Sequence, residues 1–439
     1  MNRGKRVLVI GTGPASIQLC MIVKKSLGLE VGLAGRISVR SESFFQSLEG
    51  NENHIMVSVQ NQQNESLQGK CLIDHVYRGI DAIRGEWDVI VLAVTTDAYL
   101  DVLQTIPREV FKSVRSIVLV SPTLGSNSLV KQYVGGIQSE VEIISFSTYL
   151  GDTRWMEPDP SHHVITTAMK KKLYIGSTHK HSMIVQSLVA LGRELGTELV
   201  PTESPLEAET RNISLYVHPP LFMNDVTLNE IFDGGPSMKY VYKLYPEGPI
   251  TQHLIRDMLA QWQEMMGILE KVKIKPLNLL EFMIDDNYPI RLESLSRADI
   301  EGFVQLDKIH QEYLLYIRYT SLLIDPFSTP DETGRYFDFS AVPIRKMYRN
   351  VEGELDIPRM PKEDYYRIKI IQGIARFLGL PSPTIDKLIW TYENKLNEVV
   401  KTHHDQKLSG AFSIQSFEED LSRITGEIGK ELVKTVQSE

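Results

Sequence analysis

Three side chains in this sequence stand where they could do acid-base or anion-binding chemistry. His218 lies in "YVHPPLFMND" (216–225), between an apolar run and two consecutive prolines. A proline disfavours the α conformation of the residue before it, so the spacing predicts that a helix entering from "AETRNISLYV" stops near His218. There the negative end of the helix dipole would stabilise an imidazolium, and a histidine so placed suits a general acid near neutral pH. Arg318 and Asp325 lie in "YLLYIRYTSLLIDPFS", two turns apart on one face if the helix is continuous. Arg318 is the natural fork for a carboxylate. Asp325, before Pro326 and again at a predicted helix end, is placed to accept a hydrogen bond from the histidine and orient it. The same Arg and Asp would also serve as an ordinary surface network. A proton donor plus a carboxylate holder is what hydride transfer to a carbonyl or imine requires of a protein.

A hydride donor needs a nucleotide site, and "VLVIGTGPAS" supplies a candidate. Gly11 permits a tight turn after the first strand, and Gly13 lets the backbone approach a pyrophosphate at the following helix N-terminus. Thr12, Pro14 and Ala15 complete this loop, and Ser16 stands at the third fingerprint position, usually Gly or Ala. Where an NAD site carries an acid at the end of the second strand, this chain has "LAGRISVRS". Arg36, Ser38 and Arg40 there offer two guanidinium groups and a hydroxyl to a 2′-phosphate, which favours NADPH. As plain surface residues of a loop the arginines would need no ligand. Thr95 and Thr96 in "AVTTDAY", and Pro122 and Thr123 in "VSPTLGS", fall at carboxyl ends of later strands, where they suit a ribose or a nicotinamide amide or cap the next helix.

These groups need two kinds of scaffold. The first half alternates β-rich runs ("RVLVIG", "EVGLAGR", "WDVIVLAV", "SIVLVSP", "EVEIISFS") with helical stretches, which indicates a Rossmann-like α/β domain with a parallel sheet. After about residue 185 the apolar spacing moves to 3.6, in segments such as "ITQHLIRDMLAQWQEMMGILEKV" and "SPTIDKLIWTYENKLNEVV". The reading is therefore a nucleotide-binding domain over 1–185 and a mainly α-helical substrate and catalytic domain over 186–439. The tail "SFEEDLSRITGEIGKELVKTV" reads as a docked or oligomeric helix.

Composition narrows the function class. A content of 42% hydrophobic and 23% charged residues is that of a soluble globular protein. No apolar run of membrane-spanning length occurs, and the basic start "MNRGKRVLVIGTG" has too short an apolar stretch for a signal peptide, so a cytoplasmic enzyme is expected. A net charge of −9 with scattered Lys and Arg argues against nucleic acid or an anionic membrane as partner. Cys20 and Cys71 belong to no ligand pattern. The pairs His162-His163 and His403-His404 lack a carboxylate or cysteine at ligand spacing, so they read as exposed loop histidines and no metal site is expected.

The strings "SFSTYLGDTR", "ESPLEAETRNISLYVHPPLFMND", "VYKLYPEGPIT", "YLLYIRYTSLLIDPFS" and "YFDFSAVP", with the phosphate loop, resemble the opine dehydrogenases, and specifically the staphylopine-type enzymes that make opine metallophores. The resemblance runs from the phosphate loop to about residue 370. It implies an NADPH-dependent condensation of an amine, a histidine extended by an aminobutyrate unit, with pyruvate or 2-oxoglutarate, followed by reduction of the imine. It assigns His218 as the catalytic histidine, Arg318 as the carboxylate-binding arginine and Asp325 as the histidine's partner. Two features depart from the older members: Ser214 replaces an Asn four residues before the histidine, and the Arg-to-Asp spacing is longer. In "YLGDTR", Asp152 resembles a selector of the oxo acid. A carboxylate there would repel the second carboxylate of 2-oxoglutarate and favour pyruvate, unless Arg154 or a water offsets it. Tyr242 in "VYKLYPEGPI" is a candidate for the substrate site, within a tyrosine stripe that packing would also explain. A homodimer is expected of this type.

Two other readings compete. A ketopantoate-reductase-like or 2-hydroxy-acid enzyme would use a catalytic lysine, and no lysine sits in a motif comparable to "YVHPP". A non-catalytic NADP-sensing protein would bind cofactor without needing His218.

Overall fold

The computed structural model describes residues 5–438 apart from 236, 287, 292, 323–331, 335–337 and 339, with the side chains of 40 and 435–438 also outside the description. Asp325 lies outside the described residues. The chain divides into two compact units, Met1–Asn212 with Ser422–Glu439, and Ile213–Leu421.

The first unit begins with strands β1 (Arg6–Ile10), β2 (Glu30–Gly35), β3 (His54–Val59), β4 (Gly69–Leu72), β5 (His75–Arg78) and β6 (Val89–Leu92). It continues with β7 (Ser116–Leu119), β8 (Glu142–Phe146), β9 (Gly151–Trp155), β10 (His163–Met169), β11 (Lys172–Ser177) and β12 (Glu198–Pro201). Its helices are α1 (Pro14–Leu27), α2 (Val39–Gly50), α3 (Tyr99–Thr105), α4 (Ser126–Gly135), α5 (Met183–Glu194) and α6 (Pro205–Thr210). Eight strands form one sheet in the order β12-β11-β8-β7-β6-β1-β2-β5, parallel throughout except where β11 meets β8. The near-continuous apolar runs of β1, β6 and β7 suit strands covered on both faces.

Register determines where a ligand can meet this sheet. Ala34, Ile10, Leu92, Leu119 and Ser145 pair in succession across five strands, forming one row. The loops that begin just beyond them therefore leave from one carboxyl edge, as doubly wound sheets require of a ligand site.

A second sheet, β4-β3-β10-β9, also belongs to the first unit. Its strands, such as "GKCL" and "HVITTAM", are short or half-polar, so their alternation did not stand out in the sequence. The division at residue 185 falls inside α5, and α5, β12 and α6 group with the first unit. The change to helical spacing is produced by α5 itself, a crossover between the parallel strands β11 and β12, before the chain leaves the sheet.

The second unit is mainly helical, with α7 (Ser214–Phe222), α8 (Asp225–Phe232), α9 (Gln252–Lys271), α10 (Leu279–Asp285), α11 (Arg297–Gly302), α12 (Lys308–Thr320), α13 (Arg359–Phe377) and α14 (Pro383–Thr402). The last helix, α15 (Glu418–Ser438), groups with the first unit from Ser422 onward. There Lys131 of α4 pairs with Glu427 and Glu431, each at 2.8 Å, and Arg423 donates to Gln132 at 2.6 Å, as a docked helix should.

The helix carrying His218 differs from expectation. α7 does not stop at His218 but runs through Pro219 and Pro220 to Phe222, so the histidine sits mid-helix, away from the C-terminal dipole. A proline inside a helix deprives the carbonyl four residues back of its donor. For Pro219 that carbonyl belongs to Leu215, and the Nε2 of Gln261 in α9 donates to it at 2.6 Å in a fully buried position. Substituting Gln261→Leu should strand this carbonyl and lower stability by about 1–3 kcal/mol; chemical denaturation checks this, and an unchanged midpoint would show that another group replaces the donor.

Candidate active site

His218 keeps one side accessible, with its side chain 20% exposed, while its Nδ1 lies 3.5 Å from Oδ1 of Asp364 in α13. Asp364 is completely buried. The distance is that of an ion pair and is long for a hydrogen bond. Both His218 Nδ1 and Asp364 Oδ2 are buried without a hydrogen-bond partner, an orphan donor site beside an orphan acceptor. Catalytic hydrogen bonds often tighten only when substrate binds. The Phe222 ring meets the imidazole edge to face at 5.3 Å, which limits ring rotation. Arg367 Nη1 donates to Asp364 Oδ1, the oxygen that also faces His218, at 3.2 Å, and Arg367 Nη2 to Glu363 at 3.2 Å, so the acid is anchored by a second cation.

Asp364 was not singled out from the sequence, although it left a signal. In "EDYYRIKIIQGIARF" the apolar row Ile368, Ile371 and Ala375 extends back one turn to Asp364, and all four are buried. An acid in line with a buried stripe calls for a cationic or proton-donating partner.

Arg318 is 3% exposed on α12, and no carboxylate pairs with it among the described residues. Its Nε is buried without a partner. Burial lowers the guanidinium's pKa from its ordinary value, and the nearby phenols of Tyr319, Tyr288 and Tyr242 partly offset this. Its guanidinium stands 5.0 Å from the Tyr319 ring. Tyr242, which the sequence offered for the substrate site, is thus a neighbour of Arg318. Helix α9 braces both chemical groups: its Gln261 fixes α7, and its Met258, three residues earlier on the same face, receives the Tyr319 hydroxyl at 3.5 Å.

In the first unit the phosphate loop leaves β1 at the carboxyl edge. Gly11 adopts φ 137°, and a side chain there would strike the Ala93 carbonyl. Gly13 caps α1 with no side-chain hydrogen bond, no acid occupies the first turn, and a Cβ at Gly13 would find open space within 4 Å. Thr12, Gly13, Pro14 and Ala15 are all partly exposed. An uncapped helix N-terminus with an open approach is a cradle for phosphate. Ser16 is buried, its hydroxyl directed at the Ala93 carbonyl at 3.4 Å.

The other nucleotide candidates are placed more variously. Arg36 is exposed just beyond β2. Ser38 is committed to capping α2, accepting from Ser41 N at 3.1 Å, and the Arg40 side chain lies outside the description. Thr95 is half-buried, whereas Pro122 and Thr123 are buried. Asp152 and Arg154 share one face of β9, but the acid pairs with Lys170 at 3.6 Å instead of Arg154. His162 and His163 are not exposed loop residues: both are half-buried, His163 opens β10, and they bond Ser47 and Ser58, each at 2.8 Å. Among the described residues no group of three or more His, Cys, Asp or Glu is arranged to hold a metal ion, and no helix is long and apolar enough to cross a membrane.

The profile of a protein family described as staphylopine dehydrogenase matches residues 5–428. The chain belongs to the staphylopine dehydrogenase family. It is 47% identical over 422 residues to staphylopine synthase of Staphylococcus aureus, covering 96% of this chain and 97% of the relative. Pseudopaline synthase of Pseudomonas aeruginosa is 35% identical over 396 residues, 90% of each chain. Among solved structures, yersinopine dehydrogenase with NADP+ bound superposes with a TM-score of 0.89 at 27% identity, over 98% of this chain and all of that one. As a staphylopine dehydrogenase family member the protein is an oxidoreductase of the opine dehydrogenase kind, built on a Rossmann-like unit and a helical unit.

Proposed function

We propose that the protein is an NADPH-dependent opine dehydrogenase that joins the amine of an aminobutyrate-extended histidine to a 2-oxo acid and yields the secondary amine of an opine metallophore. The observation that carries this reading is the half-buried imidazole of His218 facing the buried carboxylate of Asp364, in a chain of this family. In the expected chemistry the amine adds to the oxo-acid carbonyl, water leaves, and the resulting imine takes up a hydride. NADPH, when bound, supplies that hydride. The α1 N-terminus fits its pyrophosphate and Arg36 its 2′-phosphate, and the solved yersinopine dehydrogenase holds NADP+.

The chain's own residues handle the protons and the carboxylate. With Nδ1 turned to Asp364, Nε2 of His218 is the atom left to hand a proton to the departing hydroxyl and to recover one from the attacking amine. Asp364 orients the ring and pairs with the charge that develops on it. Arg318 holds a substrate carboxylate through its guanidinium, beside Tyr242. Asp325 keeps its proposed role only as an alternative partner of the histidine.

Pyruvate is the favoured oxo acid on electrostatic grounds. Lys170 at 3.6 Å and the 46% exposure of Asp152 both weaken its repulsion of a second carboxylate, so the preference expected for pyruvate is modest. Steady-state rates across NADPH and NADH, each with pyruvate and 2-oxoglutarate, test the whole reading. The highest kcat/KM should belong to NADPH with pyruvate, and Arg36→Ala should raise KM for NADPH about tenfold while leaving that for NADH unchanged. A preference for 2-oxoglutarate would remove the Asp152 argument, and equal use of NADH would remove the Arg36 one.

A further inference from the structure

At the carboxyl edge of the first unit lies a carboxylate that the proposed chemistry does not use. Glu209 of α6 is completely buried, and four donors converge on it. Gly125 N and Asn127 Nδ2 reach its Oε2, each at 2.9 Å, and Asn127 N at 2.7 Å and Ser145 Oγ at 2.9 Å reach its Oε1. Two of these donors are orphan amides at the start of α4, whose N-cap is Gly125 in a left-handed conformation, without a side chain to cap the helix. Glu209 therefore supplies from a distance the cap that the local sequence lacks. Ser145 belongs to the row of residues at the sheet's carboxyl edge, so the acid sits where β7 and β8 end. Burial pushes its carboxyl up to about 8, against the pull of the Asn127, Ser145 and Gly125 donors.

Helix α1 offers the contrast. Its N-terminus at the same edge is uncapped and open, whereas the α4 N-terminus is already filled by a protein carboxylate. The α1 start is thus free to take an anion, whereas the amides of the α4 start are already paired. The loop between β7 and α4, which contains Pro122 and Thr123, is held by the same acid.

We propose that Glu209 is a positioning residue that presets the loop after β7 for the nicotinamide half of the cofactor. This rests on the cofactor assignment above. In Glu209→Gln one acceptor oxygen becomes an NH2, which faces either the Gly125 or the Asn127 backbone N–H, donor against donor; this releases the start of α4 and shifts the loop. The adenosine half, bound at α1 and beyond β2, does not depend on it.

The test compares binding of NADPH with binding of 2′,5′-ADP, which carries only the adenosine half, in the wild type, Glu209→Gln and Ser145→Ala. For Glu209→Gln, NADPH affinity should fall about tenfold and kcat by about ten- to a hundredfold, as a displaced positioning loop produces, while 2′,5′-ADP affinity holds. Ser145→Ala keeps the carboxylate and three donors, so it should fold normally and show a smaller loss in the same direction. Equal losses for both ligands, or a lower melting temperature with both affinities and kcat unchanged in the folded protein, would make Glu209 merely structural and overturn the proposal. If Glu209→Gln does not fold, Ser145→Ala decides: an NADPH affinity equal to wild type overturns the proposal. A wild-type protein that binds 2′,5′-ADP but not NADPH, or neither, would overturn the cofactor assignment instead.

Discussion

His218→Asn should lower kcat by about 10²–10⁴-fold, the range that general acid-base catalysis supplies, with little change in melting temperature. The stability half of this expectation comes from the geometry. Removing the imidazole gives up the 3.5 Å contact with Asp364 and the edge contact with Phe222 but no hydrogen bond, the ring is part-exposed, and Arg367 still holds the acid. Asparagine also retains a donor that can face Asp364. Asp364→Asn is a harsher change, because it removes a fully buried charge partner of Arg367 and leaves that guanidinium to Glu363 and a neutral amide, at a cost of about 1–3 kcal/mol. The two variants should therefore separate: both lose turnover, and only the second loses substantial stability. Wild-type kcat in His218→Asn would remove the histidine from the mechanism.

The second large effect has the opposite sign for stability. Arg318 is a buried cation with no carboxylate beside it among the described residues, and its burial depresses its pKa. Under the proposed function a substrate carboxylate compensates that desolvation. Replacing Arg318 with Met should remove the buried charge and raise the melting temperature, since apolar replacements of buried charges are often stabilising by about 1–4 kcal/mol. The same change should cut kcat/KM by about 30- to several thousandfold, equivalent to about 2–5 kcal/mol for leaving a buried substrate carboxylate unpaired. Loss of activity with a raised melting temperature is the signature of a binding residue. A lowered melting temperature with KM unchanged would instead assign Arg318 to the fold.

What the sequence made legible follows the strength of the physical signal. The strands β1, β6 and β7 are uninterrupted apolar runs, and the glycine loop after β1 can serve few purposes at that position, so the nucleotide unit and its edge were readable. Arg318 stood out by residue type as a candidate carboxylate fork, whereas its burial and its tyrosine surround did not, because they arise from segments distant in the chain. The two prolines after His218 misled for a related reason. Local sterics predict a stop, and a glutamine forty-six positions away lends the missing hydrogen bond, so the helix continues. The partner of the histidine was sought in Asp325, near Arg318 in sequence. Among the described residues the acid that faces the ring is Asp364, whose claim rests on a buried row in α13 and on how α13 lies against α7. The unit boundary was displaced because α5 has the periodicity of a helical domain while serving as a crossover of the sheet.

The central claim is that hydride reaches an imine built from two substrates. Its most direct test supplies NADPH carrying two deuterium atoms at C4, pyruvate and the aminobutyrate-extended histidine, and follows the label by mass spectrometry. The account predicts one deuterium in a product whose mass is that of the two substrates joined with loss of water and reduced, located on the carbon that was the pyruvate carbonyl, and no NADPH consumption when either substrate is omitted. Deuterium in lactate, with NADPH consumed in the absence of the amine, would contradict it.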